Sequence, residues 1–122
     1  MERNHTCEAA IVSCIDFRFQ RFIREWAFEN LEDRPHDYIA LAGATKNLDT
    51  IKEQVDISAR LHQIKNLYLI HHENCGAYGD ESTLERHSQD LKKAREEISD
   101  KHPNLQIHLY YLHLDGTFQK IE

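Results

Sequence analysis

Glu8-Ala9-Ala10-Ile11-Val12-Ser13-Cys14-Ile15 is the stretch on which the reading of the fold turns. Its apolar run, centred on Ala9 to Val12, has no polar alternation. A strand of that kind is covered on both faces, as in a parallel sheet flanked by helices. On its C-terminal side, Phe19, Phe22, Ile23 and Trp26 recur at helical spacing, with Arg21, Arg24 and Glu25 between them. Pro35, just beyond Leu31, ends that helix.

The same alternation runs through the rest of the chain. Asp37 to Ala42 is a second short strand, followed by Gly43. Leu48, Ile51, Val55, Ala59 and His62 form a stripe at three- and four-residue spacing, with Asn47 or Asp49 available as a cap. Leu67 to Ile70 is again wholly apolar. Ser82 or Thr83 starts a further helix whose face carries Leu84, His87, Leu91, Ala94 and Ile98, and Pro103 closes it. Leu105, Ile107 and Leu109 alternate with Gln106, His108 and Tyr110, as in a strand with one drier face. Asp115 to Glu122 is short and polar and carries no assigned element. The order β-α-β-α-β-α-β predicts an α/β three-layer sandwich around a mainly parallel central sheet of four strands, or five. A chain of 122 residues is expected to form a single domain, residues 1–122.

Composition narrows the function. Fifteen basic against 21 acidic residues give a net charge of −6. The densest basic run, Lys92-Lys93-Ala94-Arg95, is followed at once by Glu96-Glu97, a solvated helix face rather than a nucleic-acid footprint. No 18-residue apolar run exists, so no membrane-spanning helix is expected. The start, Met1 to His5, is not followed by a stretch suited to a signal peptide, and a cytoplasmic location is expected. Three cysteines, an odd number, argue against a disulfide framework.

Three segments both end strands and carry reactive side chains: Cys14-Ile15-Asp16-Phe17-Arg18, Ala42-Gly43-Ala44-Thr45, and His71-His72-Glu73-Asn74-Cys75-Gly76. In a parallel sheet all three lie at the same edge, where α/β proteins place their sites. A His-x-x-Cys turn with one more thiolate offers a borderline-soft N/S/S set that suits zinc and leaves a fourth position open. Asp16 and Arg18 make a carboxylate–guanidinium pair beside it. His71 reads as structural, facing the opposite side of the strand or backing a ligand from outside. Cys7 precedes the first strand with no partner pattern and reads as inert. Phe19, Phe22 and Trp26 read as core, and no chemistry is assigned to His87, His108 or His113.

Cys14-x-Asp16-x-Arg18 followed by His72-x-x-Cys75-Gly76 resembles the β-class carbonic anhydrases, and His71 to Gly76 is similar to their small archaeal-type branch. Ala42-Gly43-Ala44 sits where the family has an Asn-Ala-Gly loop, with Leu41 at the Asn position, and Phe17 stands where serine is usual. The resemblance implies Zn2+ held by Cys14, His72 and Cys75, with Asp16 and Arg18 as the catalytic pair. The activity it implies is reversible hydration of carbon dioxide to bicarbonate, with Phe17, Leu41, Gly43 and Gly76 around the pocket. Water or Asp16 takes the fourth zinc position. Two other readings go with it: hydrolysis of carbonyl sulfide or carbon disulfide at the same site, or a catalytically silent zinc-binding homologue with an interaction role. The implied assembly is a homodimer or larger, and the family's N-terminal helical arm has no counterpart before the first strand. The implied partner is a small-molecule substrate, with no nucleic acid and no membrane.

Overall fold

The computed structural model describes residues 5–122. Five strands form one sheet in the order β2-β1-β3-β4-β5. They are β1 Ala9–Ser13, β2 Asp37–Ala40, β3 Asn66–His72, β4 Gln106–Leu112 and β5 Phe118–Ile121. Three helices connect them: α1 Gln20–Asn30, α2 Leu48–His62 and α3 Leu84–Lys101. The first four strands run parallel, and β5 pairs antiparallel with β4.

The layer that each helix occupies follows from the strand order. The chain steps from β1 outward to β2, then crosses back over β1 to β3, then moves on to β4. Because such crossovers are right-handed, the reversal places α1 on one face and α2 and α3 on the other. The packing agrees. Ile23, Ala27 and Leu31 join Ala9, Ile11, Ile70 and Leu112 on one side. Ile51, Val55, Leu91, Ala94 and Ile98 pack on Ala10, Val12, Leu67, Leu69 and Leu109 on the other. Period-two alternation thus sends every second residue of β1 to each helical layer, and all five residues of β1 are buried. Each large aliphatic side chain closed off in this way contributes about 1.5–3 kcal/mol of transfer free energy.

The direction reverses between β1 and β3. The crevice beyond their carboxyl ends is therefore the topological switch point. Cys14 follows β1, and His72 is the last residue of β3.

Two details differ from the sequence expectation. Asp115–Gly116 makes a tight turn, with Gly116 at φ +92°, that returns the chain as β5. His113 N–H donates to the Thr117 carbonyl at 2.9 Å, and the register places Ile121 opposite Leu109. At Asn47 the side chain makes no cap bond, whereas Thr83 Oγ1 accepts from Arg86 N–H as a cap should. Among the described residues, no helix is long and apolar enough to cross a membrane.

Candidate metal centre

Cys14, His72 and Cys75 are all buried, and one donor atom from each lies within 4.8 Å of the others. Local structure explains how each arrives. Cys14 leaves a central strand at the switch point. His72 ends the neighbouring strand, which runs further than β1. Cys75 follows a reversal at Asn74, whose φ of +59° is left-handed. Adjacent histidines at the end of β3 point to opposite faces because the strand period is two. His72 falls on the α1 side, where its ring stacks on buried Phe19 with centroids 4.1 Å apart. His71 falls on the other.

The His72 ring is oriented by its own backbone. Nδ1 donates to the Glu73 carbonyl at 2.8 Å. Nε2 therefore carries the lone pair, and it is the only buried side-chain polar atom without a hydrogen-bond partner among the described residues. A buried acceptor left bare normally costs free energy. Here it looks into a pocket shared with two thiols. Gly43 N–H donates to Cys14 Sγ at 3.3 Å. Burial alone raises the Cys14 thiol, but the His72 ring and the Gly43 amide bring it down to about 7. Cys75 moves the other way, pushed up by burial and by the nearby Cys14 sulfur, against the pull of the Ala77 amide. Two sulfurs and one bare imidazole nitrogen are a donor set that fits a zinc-type site.

Asp16 stands beside this cluster, with Oδ2 3.8 Å from His72 Nε2. Its carboxylate is gripped from behind. Arg18 Nη2 donates to Oδ2 at 2.7 Å, Nε to both oxygens at 3.1 and 3.2 Å, and the Arg18 amide to Oδ1 at 3.0 Å. The Arg18 side chain, through its hydrogen bonds, holds the Asp16 carboxyl below its ordinary range. The same guanidinium reaches across to the other loop, to Asn74 Oδ1 at 3.0 Å and the Asn74 carbonyl at 2.9 Å. One fork therefore ties the Cys14 turn to the Cys75 turn. Gln20 adds a second brace, donating to the carbonyls of Cys14 and Asp16.

Behind the cluster runs a buried polar chain whose direction can be read bond by bond. Thr45 N–H donates to His71 Nε2 at 3.3 Å, so that nitrogen is an acceptor and His71 carries its proton on Nδ1. His71 Nδ1 then donates to His87 Nδ1 at 2.8 Å, and His87 Nε2 donates to Ser82 Oγ at 2.9 Å. Ser82 Oγ also accepts the Cys75 amide at 2.8 Å. Both rings are neutral in this arrangement. Burial holds His71 well below its ordinary value and lowers His87 to about 4.

An open cleft of about 530 Å³ lies above the cluster, lined by Cys14, Asp16, Phe17, Arg18, Asn74 and Gly76 among others. Phe17 is 85% exposed at its rim. Of the four residues expected around the pocket, Phe17 and Gly76 line it. Leu41 instead packs against the core on the α2 and α3 side, on the same face as Ile39 two residues earlier. Gly43 supports Cys14 from beneath. Asn74, Gln20, Thr45, Ser82 and His87 belong to the site's frame, and the sequence reading gave none of them a role there. Only Asn74, lying between a histidine and a cysteine at a turn, carried a local signal.

A mainly parallel α/β sheet with a Cys2His cluster that could hold a metal ion at its switch point is the architecture of the carbonic anhydrase-like proteins. The chain belongs to the family described as "Putative carbonic anhydrase", whose model matches residues 4–122. An uncharacterized protein of Rickettsia conorii is 30% identical, the match covering 91% of this chain and 70% of that one. A carbonic anhydrase from Glaciozyma antarctica superimposes with a TM-score of 0.69 at 20% identity, over 93% of this chain and 81% of that structure. One from Streptococcus mutans gives 0.64 at 16% identity, over 98% and 84%. Tetrameric β-carbonic anhydrases from Sordaria macrospora give 0.59 at 10% identity, over 96% and 81%. At these identities the solved structures establish the fold.

Proposed function

We propose that this chain, as one domain, binds zinc through Cys14, His72 and Cys75 and catalyses the reversible hydration of carbon dioxide. The observation that carries the reading is the bare, buried His72 Nε2 facing two cysteines, with a restrained carboxylate alongside. Zinc, when bound, supplies the Lewis acidity that makes water a usable nucleophile near neutral pH.

The chain's own residues supply the rest. Cys14 and Cys75 as thiolates balance a divalent charge, and the Glu73 carbonyl keeps His72 in the tautomer that presents Nε2. Asp16 accepts a hydrogen bond from the nucleophilic water and so aims its lone pair at the substrate carbon. Arg18 keeps that carboxylate ionised and fixed in place rather than free to swing inward as a ligand. Ile15, Phe17, Ala42 and Ala77 give the cleft an apolar wall suited to a small neutral molecule. A tetrameric relative and the exposed Ile15 and Phe17 at the rim support assembly as a homodimer or larger.

The test is metal content by mass spectrometry on protein purified without added zinc, followed by stopped-flow hydration with Cys14→Ser and Asp16→Ala controls. The reading expects one zinc in this cluster and hydration well above both variants. Wild-type hydration no faster than that of Cys14→Ser rejects it.

A further inference from the structure

The opposite edge of the sheet holds a second cluster of metal-ligating side chains. Cys7 lies just before β1, Asp37 is the first residue of β2 and His62 is the last residue of α2. One donor atom from each lies within 4.8 Å of the others. Backbone structure fixes this meeting: Cys7 N–H donates to the His62 carbonyl at 3.0 Å, and Asp37 pairs with Ala10 across β1 and β2. Seven residues of near-extended chain separate Cys7 from Cys14, which puts the two clusters roughly 20 Å apart.

From this geometry we infer that Cys7, Asp37 and His62 form a second site for a divalent cation of the zinc class. The donors are one sulfur, one oxygen and one imidazole nitrogen, and a thiolate with a carboxylate balances two positive charges. Asp37 already has an orienting partner, since Ser58 Oγ donates to Oδ2 at 2.5 Å. His62 Nδ1 lies 2.6 Å from that same oxygen. No lysine or arginine among the described residues bridges Asp37. The His5 ring meets the His62 ring edge-on, with centroids 4.9 Å apart. A cleft of about 310 Å³, lined by Thr6, Glu8, Arg34, Gln63 and Lys65 among others, reaches Cys7.

A cysteine nucleophile assisted by His62 and Asp37 fits less well. Burial and the Asp37 charge both push the Cys7 thiol up, away from the thiolate that such chemistry needs. A cation reverses that penalty, because it takes the place of the proton.

The experiment is zinc titration of chelator-stripped protein, followed by dialysis and metal-per-chain measurement. Wild type, Cys7→Ser, Asp37→Asn and Cys14→Ser are compared, and circular dichroism checks that each is folded. Two zinc ions in the wild type, falling to one in each variant, is the expected result. One ion that Cys14→Ser removes and Cys7→Ser retains overturns the second site, as do two ions in Cys7→Ser. One ion that Cys7→Ser removes and Cys14→Ser retains supports it and counts against zinc at the first cluster. Should the Cys7 and Asp37 variants not fold, a zinc-edge anomalous map of wild-type crystals decides: a peak at Cys7 supports the site, and its absence overturns it.

Discussion

Replacing His87 tests the bond-by-bond direction assigned to the polar chain behind the Cys14–His72–Cys75 cluster. His87 is 1% exposed, accepts from His71 Nδ1 and donates to Ser82 Oγ. His87→Leu strands a buried donor on His71 and removes the donor that Ser82 Oγ receives. At about 1–3 kcal/mol for each such group, the loss near pH 7 is roughly 2–6 kcal/mol. His87→Gln can accept with its carbonyl and donate with its amide, so it should lose less than half as much. Acid then adds a second signature. Above pH 6.5 His87 is neutral whether folded or unfolded. Below it the unfolded chain takes up a proton that the folded chain refuses until about pH 4. The wild type therefore loses stability by up to about 1.4 kcal/mol per pH unit across that window. His87→Leu lacks this share of the slope, so its deficit narrows on going from pH 7 to pH 5. Urea unfolding of chelator-treated protein at both pH values measures this with metal release kept out of the comparison. A His87→Leu variant as stable as wild type at pH 7, or a deficit unchanged at pH 5, refutes the assigned tautomers.

Gly43→Ala places a Cβ 3.0 Å from that of Lys46 and 3.2 Å from that of Ala77, at φ +82°. It should cost about 1–2 kcal/mol from the left-handed backbone alone, and weaken zinc retention in a chelator competition by displacing the amide on Cys14. Asp56 is held below its ordinary range: burial opposes this, but Lys101 and His102 hydrogen bonds outweigh it. Its contribution is present above the ordinary carboxylate range and disappears as pH falls through the lowered value. Asp56→Asn should accordingly melt below wild type at pH 7, by about 1 kcal/mol or less given partial exposure, and converge with it in strong acid. Leu109→Ala, at a fully buried sheet position, should lose about 2–5 kcal/mol in denaturant unfolding.

The parallel strands were legible because burial on both faces leaves short unbroken apolar runs, as at Ala9 to Val12 and Leu67 to Ile70. The Cys14, His72 and Cys75 grouping was legible for a different reason: two short motifs follow strands that must end at one edge. A fifth strand was allowed for in the strand count but not located at the C-terminal end. Four residues are too few for periodicity, although Asp115–Gly116 is a hairpin signal of the kind that marks such a return. Leu41 was expected at the pocket wall, but it shares a face with Ile39, two residues earlier, and packs on the core. The Thr45–His71–His87–Ser82 chain and the Cys7–Asp37–His62 meeting join residues from separate elements. Each member looks ordinary alone, and only strand order and register bring them together.

The reversal at Gly116 has a practical bearing. Because β5 runs back down the sheet, Glu122 leaves heading away from the cleft, toward the end where His5 and Cys7 lie. A fusion partner or purification handle joined after Glu122 would therefore extend from the end of the sheet opposite the cleft.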